Sequence, residues 1–175
     1  AILLPACGGG SGNSQSTRAA STSTTTATSA ADSLQAQFVD TIGAIGPSVV
    51  QVQTPAGLGS GVVFDSEGNV VTNDHVVGTY KRFQVTDSTG KRYAATLVGR
   101  FTPDDLAVVH VEASHLPPAA LGDSSKLQVG DLVLAVGSPL GLETSVTDGI
   151  VSALGRTVSE SSGVALPDLI QTSAP

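Results

Sequence analysis

Apolar residues recur at Leu34, Phe38, Ile42 and Ile45, along one face of a helical period, and the run closes at Gly46-Pro47. This spacing predicts one amphipathic helix over 33–45, with Asp32 available as its cap. From Ser48 onward the pattern changes. Short runs rich in β-branched residues follow one another, at 48–53, 59–64, 69–72, 82–86, 92–98, 106–111, 132–137 and 144–154. Turn residues break them at intervals of roughly ten, the pattern of an all-β barrel or sandwich. Asp65-Ser66-Glu67-Gly68 and Asp87-Ser88-Thr89-Gly90 join successive runs with Gly in the last turn position, as hairpin connections do. Six strands are complete by Val111, and Pro117-Pro118 marks a sub-domain boundary. Two stacked barrels would accommodate six strands followed by the start of another set.

Composition narrows the function classes. The 175 residues suffice for a domain with a buried core, or for two linked sub-domains. Hydrophobic residues make up 40% but aromatic ones only 3%, so Val, Leu, Ile and Ala must build the interior, which suits strands. Eight Lys and Arg stand against fifteen Asp and Glu, a net charge of -7, and the basic residues never run beyond Lys81-Arg82 or Lys91-Arg92. That excludes the electrostatic footprint of a nucleic-acid binder. A single Cys excludes an intrachain disulfide and a thiolate zinc cluster. The chain contains no Met and begins at Ala1, which reads as a processed or truncated N-terminus.

The segment Ala1-Ile2-Leu3-Leu4-Pro5-Ala6-Cys7 is far shorter than the about 20 apolar residues a membrane helix needs. It resembles the tail of a bacterial lipoprotein signal peptide, in which the Cys becomes the lipidated first residue, although Pro5 departs from the commonest form. The alternative is a chance Cys. Over 8–30, twelve of the 23 residues are Ser or Thr and Arg18 is the only charge. Such a composition buries too little surface to offset its ordering entropy and reads as a flexible tether. The expected organisation is a lipobox remnant at 1–7, a disordered linker at 8–31, a helix at 32–46, a first barrel at 47–116 and a partial second barrel at 117–175.

Two places carry candidate chemistry. In Val70-Val71-Thr72-Asn73-Asp74-His75-Val76-Val77 a strand runs into a polar turn and stops at His75. In Asp104-Asp105-Leu106-Ala107-Val108-Val109 a carboxylate enters an apolar strand. Taken singly, such a His is more often structural and such an Asp more often a solvated strand cap. Taken together, a carboxylate accepting the Nδ1 proton of a His would leave Nε2 free to deprotonate a hydroxyl nucleophile. His75, His110 and His115 are poor candidates for a metal site, because a strand residue and a Pro-flanked loop residue offer nothing to converge them.

From Pro47 to Pro175 the chain resembles the HtrA (DegP-like) branch of the trypsin-like serine proteases. The resemblance rests on Gly59-Ser60-Gly61-Val62-Val63, Thr72-Asn73-Asp74-His75-Val76-Val77, Asp105-Leu106-Ala107-Val108, Gly137-Ser138-Pro139-Leu140-Gly141, Gly149-Ile150-Val151-Ser152 and Ile170-Gln171-Thr172, six strings in the family's order. It implies a double β-barrel of the chymotrypsin type, with the first barrel complete and the second only begun. It also implies His75 as general base and Asp105 as its orienting partner, with Asp104 a weaker claimant, and no metal or organic cofactor. Ser60 and Ser138 fall in structural strings and are not taken as nucleophiles.

In this family a segment like Gln171-Thr172-Ser173-Ala174-Pro175 leads into a Gly-Asn-Ser-Gly-Gly block bearing the nucleophile and the oxyanion-hole amides. The 175 residues stop before it, so the isolated chain is expected to be inert as a protease. The resemblance further implies a sensor loop at 156–167, unfolded or misfolded polypeptides as substrates, a lipid anchor at Cys7 in the bacterial cell envelope, and a homotrimer. The short connection at 54–58 leaves no room for a long inter-subunit arm. The competing class is a lipid-tethered, non-catalytic binding module on the same barrel.

Overall fold

A computed structural model describes residues 29–112, 115–137, 145–159 and 165–175. Cys7, most of the tether and Ser138 lie outside the described residues.

Helix α1 spans Ala30–Ile45 and starts earlier than its apolar period suggests. Ser29, not Asp32, is the cap: the Ser29 hydroxyl accepts from the Asp32 amide, while the Asp32 carboxylate accepts from the Ser29 amide. Asp32 is thus the third helical residue of a reciprocal capping box, which satisfies two otherwise orphaned donors. The apolar face carrying Leu34, Phe38 and Ile45 lines a cavity of about 280 Å3 with Leu132, Leu134 and Val136 of the second sheet.

Six strands close the first barrel: β1 (Val49–Thr54), β2 (Gly57–Val63), β3 (Asn69–Asn73), β4 (Arg82–Thr86), β5 (Arg92–Phe101) and β6 (Leu106–Val111). Their order is β1-β2-β3-β6-β5-β4, and β4 pairs back onto β1, so every neighbouring pair is antiparallel and no edge is left. Alternation explains the core. Val50, Val52, Val63, Val70, Val85, Val109 and Val111 point inward with Phe83, Ala95 and Ala107, and Leu116 closes the cluster from the connection that follows β6. Small β-branched side chains suit so narrow an interior. Gly61 belongs to the same packing, because a Cβ there would lie 2.6 Å from Val70 Cγ1 and 3.0 Å from Val52 Cγ2.

The turn between β1 and β2 is tighter than the 54–58 connection read from sequence. Thr54 pairs with Gly57 across Pro55-Ala56, and the Thr54 hydroxyl accepts from the Gly57 amide at 3.1 Å.

The second sheet has the order β7 (Leu132–Gly137), β8 (Ser145–Ser159) and β9 (Ala165–Thr172). Here the expectation of a loop over 156–167 fails. Arg156 pairs with Leu169, and Val158 with Leu166, so strand pairing continues where Gly and Ser suggested a loop. Cross-strand pairing outweighs the weak β-propensity of the segment. Only 160–164 remain between the two strands, outside the described residues.

Candidate active site

The site is built where β3 leaves the barrel. Asn73 ends β3, and the next four residues wind into a single helical turn, α2 (Asp74–Val77), which carries His75. That turn sits directly on β2: a Cβ on Gly59 would approach Val76 Cγ2 to 2.6 Å, so only glycine lets α2 come so close.

Opposite α2, a 3-10 turn at Thr102–Asp104 delivers Asp105, whose backbone is left-handed at φ 52° and ψ 41°. Among residues with a Cβ, Asp tolerates this conformation better than most. It turns the carboxylate back toward α2 just before β6 begins. Asp105 Oδ2 lies 2.7 Å from His75 Nδ1, and Asp105 Oδ1 accepts the His75 amide at 2.9 Å. Asn73 Nδ2 donates to the same Oδ2 at 3.0 Å, and the Asp74 amide donates to the Asp105 carbonyl at 3.0 Å.

The electrostatics follow from these contacts. Burial pushes the Asp105 carboxyl up, but the His75 amide, the His75 ring and Asn73 together outweigh it and hold the group below the usual carboxylate range. An ionised carboxylate can only accept, so Nδ1 carries the proton and Nε2 is left as the basic nitrogen. The His75 side chain is 68% exposed against 14% for Asp105, which places a buried acid behind an accessible base. Such a pair can take a proton from a hydroxyl and hold the resulting imidazolium beside a fixed negative charge.

The other candidates lie elsewhere. Asp104 belongs to the exposed 3-10 turn, and the carboxylate that meets His75 Nδ1 is that of Asp105. His110 faces Asn69 Oδ1 at 3.3 Å, and His115 Nε2 lies 2.6 Å from the Tyr93 hydroxyl, so the three histidines have three different partners. Among the described residues no cluster of three or more His, Cys, Asp or Glu forms a metal-binding group. The Ser60 carbonyl accepts the Thr72 hydroxyl at 2.7 Å, a tie between β2 and β3.

Residues 59–175 match the family model of the trypsin-like peptidase domain. The chain belongs to that family. It is 46% identical over 127 residues to the serine protease PepD of Mycobacterium tuberculosis, covering 65% of this chain and 27% of that protein. It is 50% identical over 101 residues to a Pseudomonas putida protein named as a DegP-like periplasmic serine endoprotease, covering 58% of this chain and 21% of the relative. Among solved structures, the HtrA-type protease AlgW with a bound tripeptide superposes with a TM-score of 0.71 at 35% identity, over 78% of this chain and 46% of that one. The chain therefore spans under a third of the length of these curated relatives.

Three site residues escaped the sequence reading. Asn73 and Asp74 stood inside the quoted string without a role, although two polar residues directly before a candidate base were a usable signal. Arg100 binds Asp74 from 26 positions away and carried no local signal.

Proposed function

We propose that this chain supplies the general base, His75, and the orienting acid, Asp105, of an HtrA-type serine endopeptidase acting on unfolded or misfolded polypeptides in the bacterial cell envelope. The 2.7 Å contact between His75 Nδ1 and Asp105 Oδ2 carries this reading, because it leaves Nε2 as the exposed base of a proton shuttle. The nucleophile in this reading is a serine encoded after Pro175, followed by backbone amides that receive the oxyanion. Family membership and the tripeptide held by AlgW support a peptide substrate. The names of relatives support an extracytoplasmic location.

Attachment through acylated Cys7 and assembly as a homotrimer belong to the same reading. None of the helices among the described residues is long and apolar enough to cross a membrane; in this reading the acyl group supplies the attachment. Cys7→Ser should release the full-length protein from the membrane fraction, and continued pelleting would remove the anchor.

The decisive experiment is proteolysis of an unfolded casein-type substrate by the full-length protein and its His75→Ala variant. Turnover should fall by about 10³-fold or more at an unaltered melting temperature. Equal cleavage by the two would remove His75 from the mechanism. A wild-type full-length protein that binds the substrate without cutting it would favour the non-catalytic module.

A further inference from the structure

Two carboxylates, not one, flank His75. Asp74 directly precedes it, is 5% exposed, and receives the Arg100 guanidinium in bidentate fashion through Nε to Oδ1 and Nη2 to Oδ2. We propose that Asp74 and Arg100 are positioning residues, a clamp that ties the His-bearing turn to the Asp-bearing segment and cancels the second carboxylate, so that Asp105 alone sets the basicity of His75. The inference rests on the proton-shuttle reading given above.

The clamp is built by a register fault. On β5 the inward-facing positions are odd-numbered: Ala95 pairs with buried Val111, and Leu97 with buried Val109. Arg100, at an even number, would then point out of the barrel. But Gly99 pairs with Val108, which makes Val98 an extra residue, and Arg100 comes to lie opposite buried Ala107. A bulge of this kind re-aims the side chains beyond it. Here it turns the guanidinium toward the end of the barrel where α2 sits. The extra residue itself packs little, Val98 being 61% exposed.

Mechanically, α2 is one turn of four residues and cannot hold its shape alone. The Asp74 amide is bonded to the Asp105 carbonyl, and the Asp74 side chain to Arg100, two residues before the 3-10 turn that delivers Asp105. The backbone bond and the side-chain pair together brace 74–75 against 100–105. A planar fork of donors fixes geometry in a way a point charge does not.

Electrostatically, α2 packs against β1, β2, β3, β5 and β6. The first three carry no charged side chain, β5 brings Arg92 and Arg100, and β6 brings His110. The adjoining 3-10 turn adds Asp104. The Arg100 hydrogen bonds hold the Asp74 carboxyl below its ordinary range against the cost of burial, with help from Thr102 and from the charge of His75. Both Asp74 and Asp105 therefore respond to the imidazolium, and only Asp74 has a cation of its own.

The test is NMR of the His75 imidazole in this 175-residue chain at low salt, following its titration and the lifetime of its Nδ1 proton. Asp105→Asn is the control: if it changes neither, the His75–Asp105 dyad itself is wrong, whatever the clamp does. Asp74→Asn should move the midpoint of the His75 titration down by about half a pH unit to one unit, since Arg100 becomes an unopposed cation. Arg100→Gln should raise it by a similar amount, and the double variant should return it near the wild-type value with a shorter-lived Nδ1 proton. Arg100→Lys should keep the ionisation constant but lose Nδ1 protection several-fold, because charge survives and the fork does not. A folded Asp74→Asn with unchanged titration and unchanged Nδ1 lifetime overturns the proposal. Where Arg100→Gln unfolds, Arg100→Lys takes its place, and a wild-type Nδ1 lifetime in it overturns the proposal equally.

Discussion

At the residue scale, the site depends on positions where one atom decides the geometry. Gly59 is the sharpest of these. Its Cβ would lie 2.6 and 2.7 Å from the two γ-methyls of Val76, and a β-branched side chain in a helical turn has little rotamer freedom with which to retreat. Gly59→Ala should therefore lift α2 from β2, costing about 1–3 kcal/mol and displacing His75 from Asp105. Urea unfolding measures the first and the Nδ1 proton resonance the second; a native resonance with native stability would show that α2 adapts freely. Asp105 is the complementary case, since its left-handed backbone is what faces its carboxylate toward His75.

At the element scale, the barrel and the helix respond differently to damage. Val109 is fully buried and shared between β6 and the core, so Val109→Ala should cost about 2–3 kcal/mol, read as a lower urea midpoint at unchanged slope. Val98, in the bulge, is largely exposed, and Val98→Ala should shift the midpoint by no more than about 0.5 kcal/mol. Helix α1 has no buried residue. Ser29→Ala should accordingly cost about 1 kcal/mol of helix stability without moving the global midpoint. Faster amide exchange confined to 30–45 would bear this out, and a fall in the barrel's midpoint would refute it.

For the molecule as a whole, carboxylates with internal partners dominate the response to acid. Asp74, Asp87 and Asp105 are all held below their ordinary range: Asp87 by Thr89, Tyr93 and Lys91 against burial, and the other two by their contacts around His75 and Arg100. The Asp87 contact works in reverse on its partner, as burial and then the nearby carboxylate push the Tyr93 hydroxyl up to about 12. A depressed carboxyl binds fewer protons folded than unfolded. Its contribution is therefore complete above about pH 5 and is lost as pH falls through the unfolded value of about 4 and then the depressed folded values. Urea midpoints should be flat from neutral pH down to about 5 and then fall steeply. Asp74→Asn should be less stable at neutral pH and lose less on acidification, and an identical acid slope would show that the pair carries no linkage. The second sheet contributes little to this stability, as Leu132, Ile150, Val158 and Ile170 are all exposed while Val151 is its one buried apolar residue among those described.

Period and punctuation along the chain determined the strands: 82–86, 106–111 and 132–137 coincide with the observed β4, β6 and β7, because alternation of Val with polar residues is a local property. Strings resembling a family's pointed to His75 and Asp105 as candidates, which the fold brings within 2.7 Å, and the apolar face pointed to the helix. Local signals misplaced the cap, since Ser29 and Asp32 bond reciprocally and either could be read as the start. They also left β9 unseen, because a segment with Gly and Ser nearby becomes a strand only when β8 lies beside it. Closure of β4 onto β1, the bulge at Val98 and the reach of Arg100 to Asp74 were decided by tertiary structure alone. Each joins residues tens of positions apart, and a side chain's direction there is set by pairing register, which no local pattern encodes.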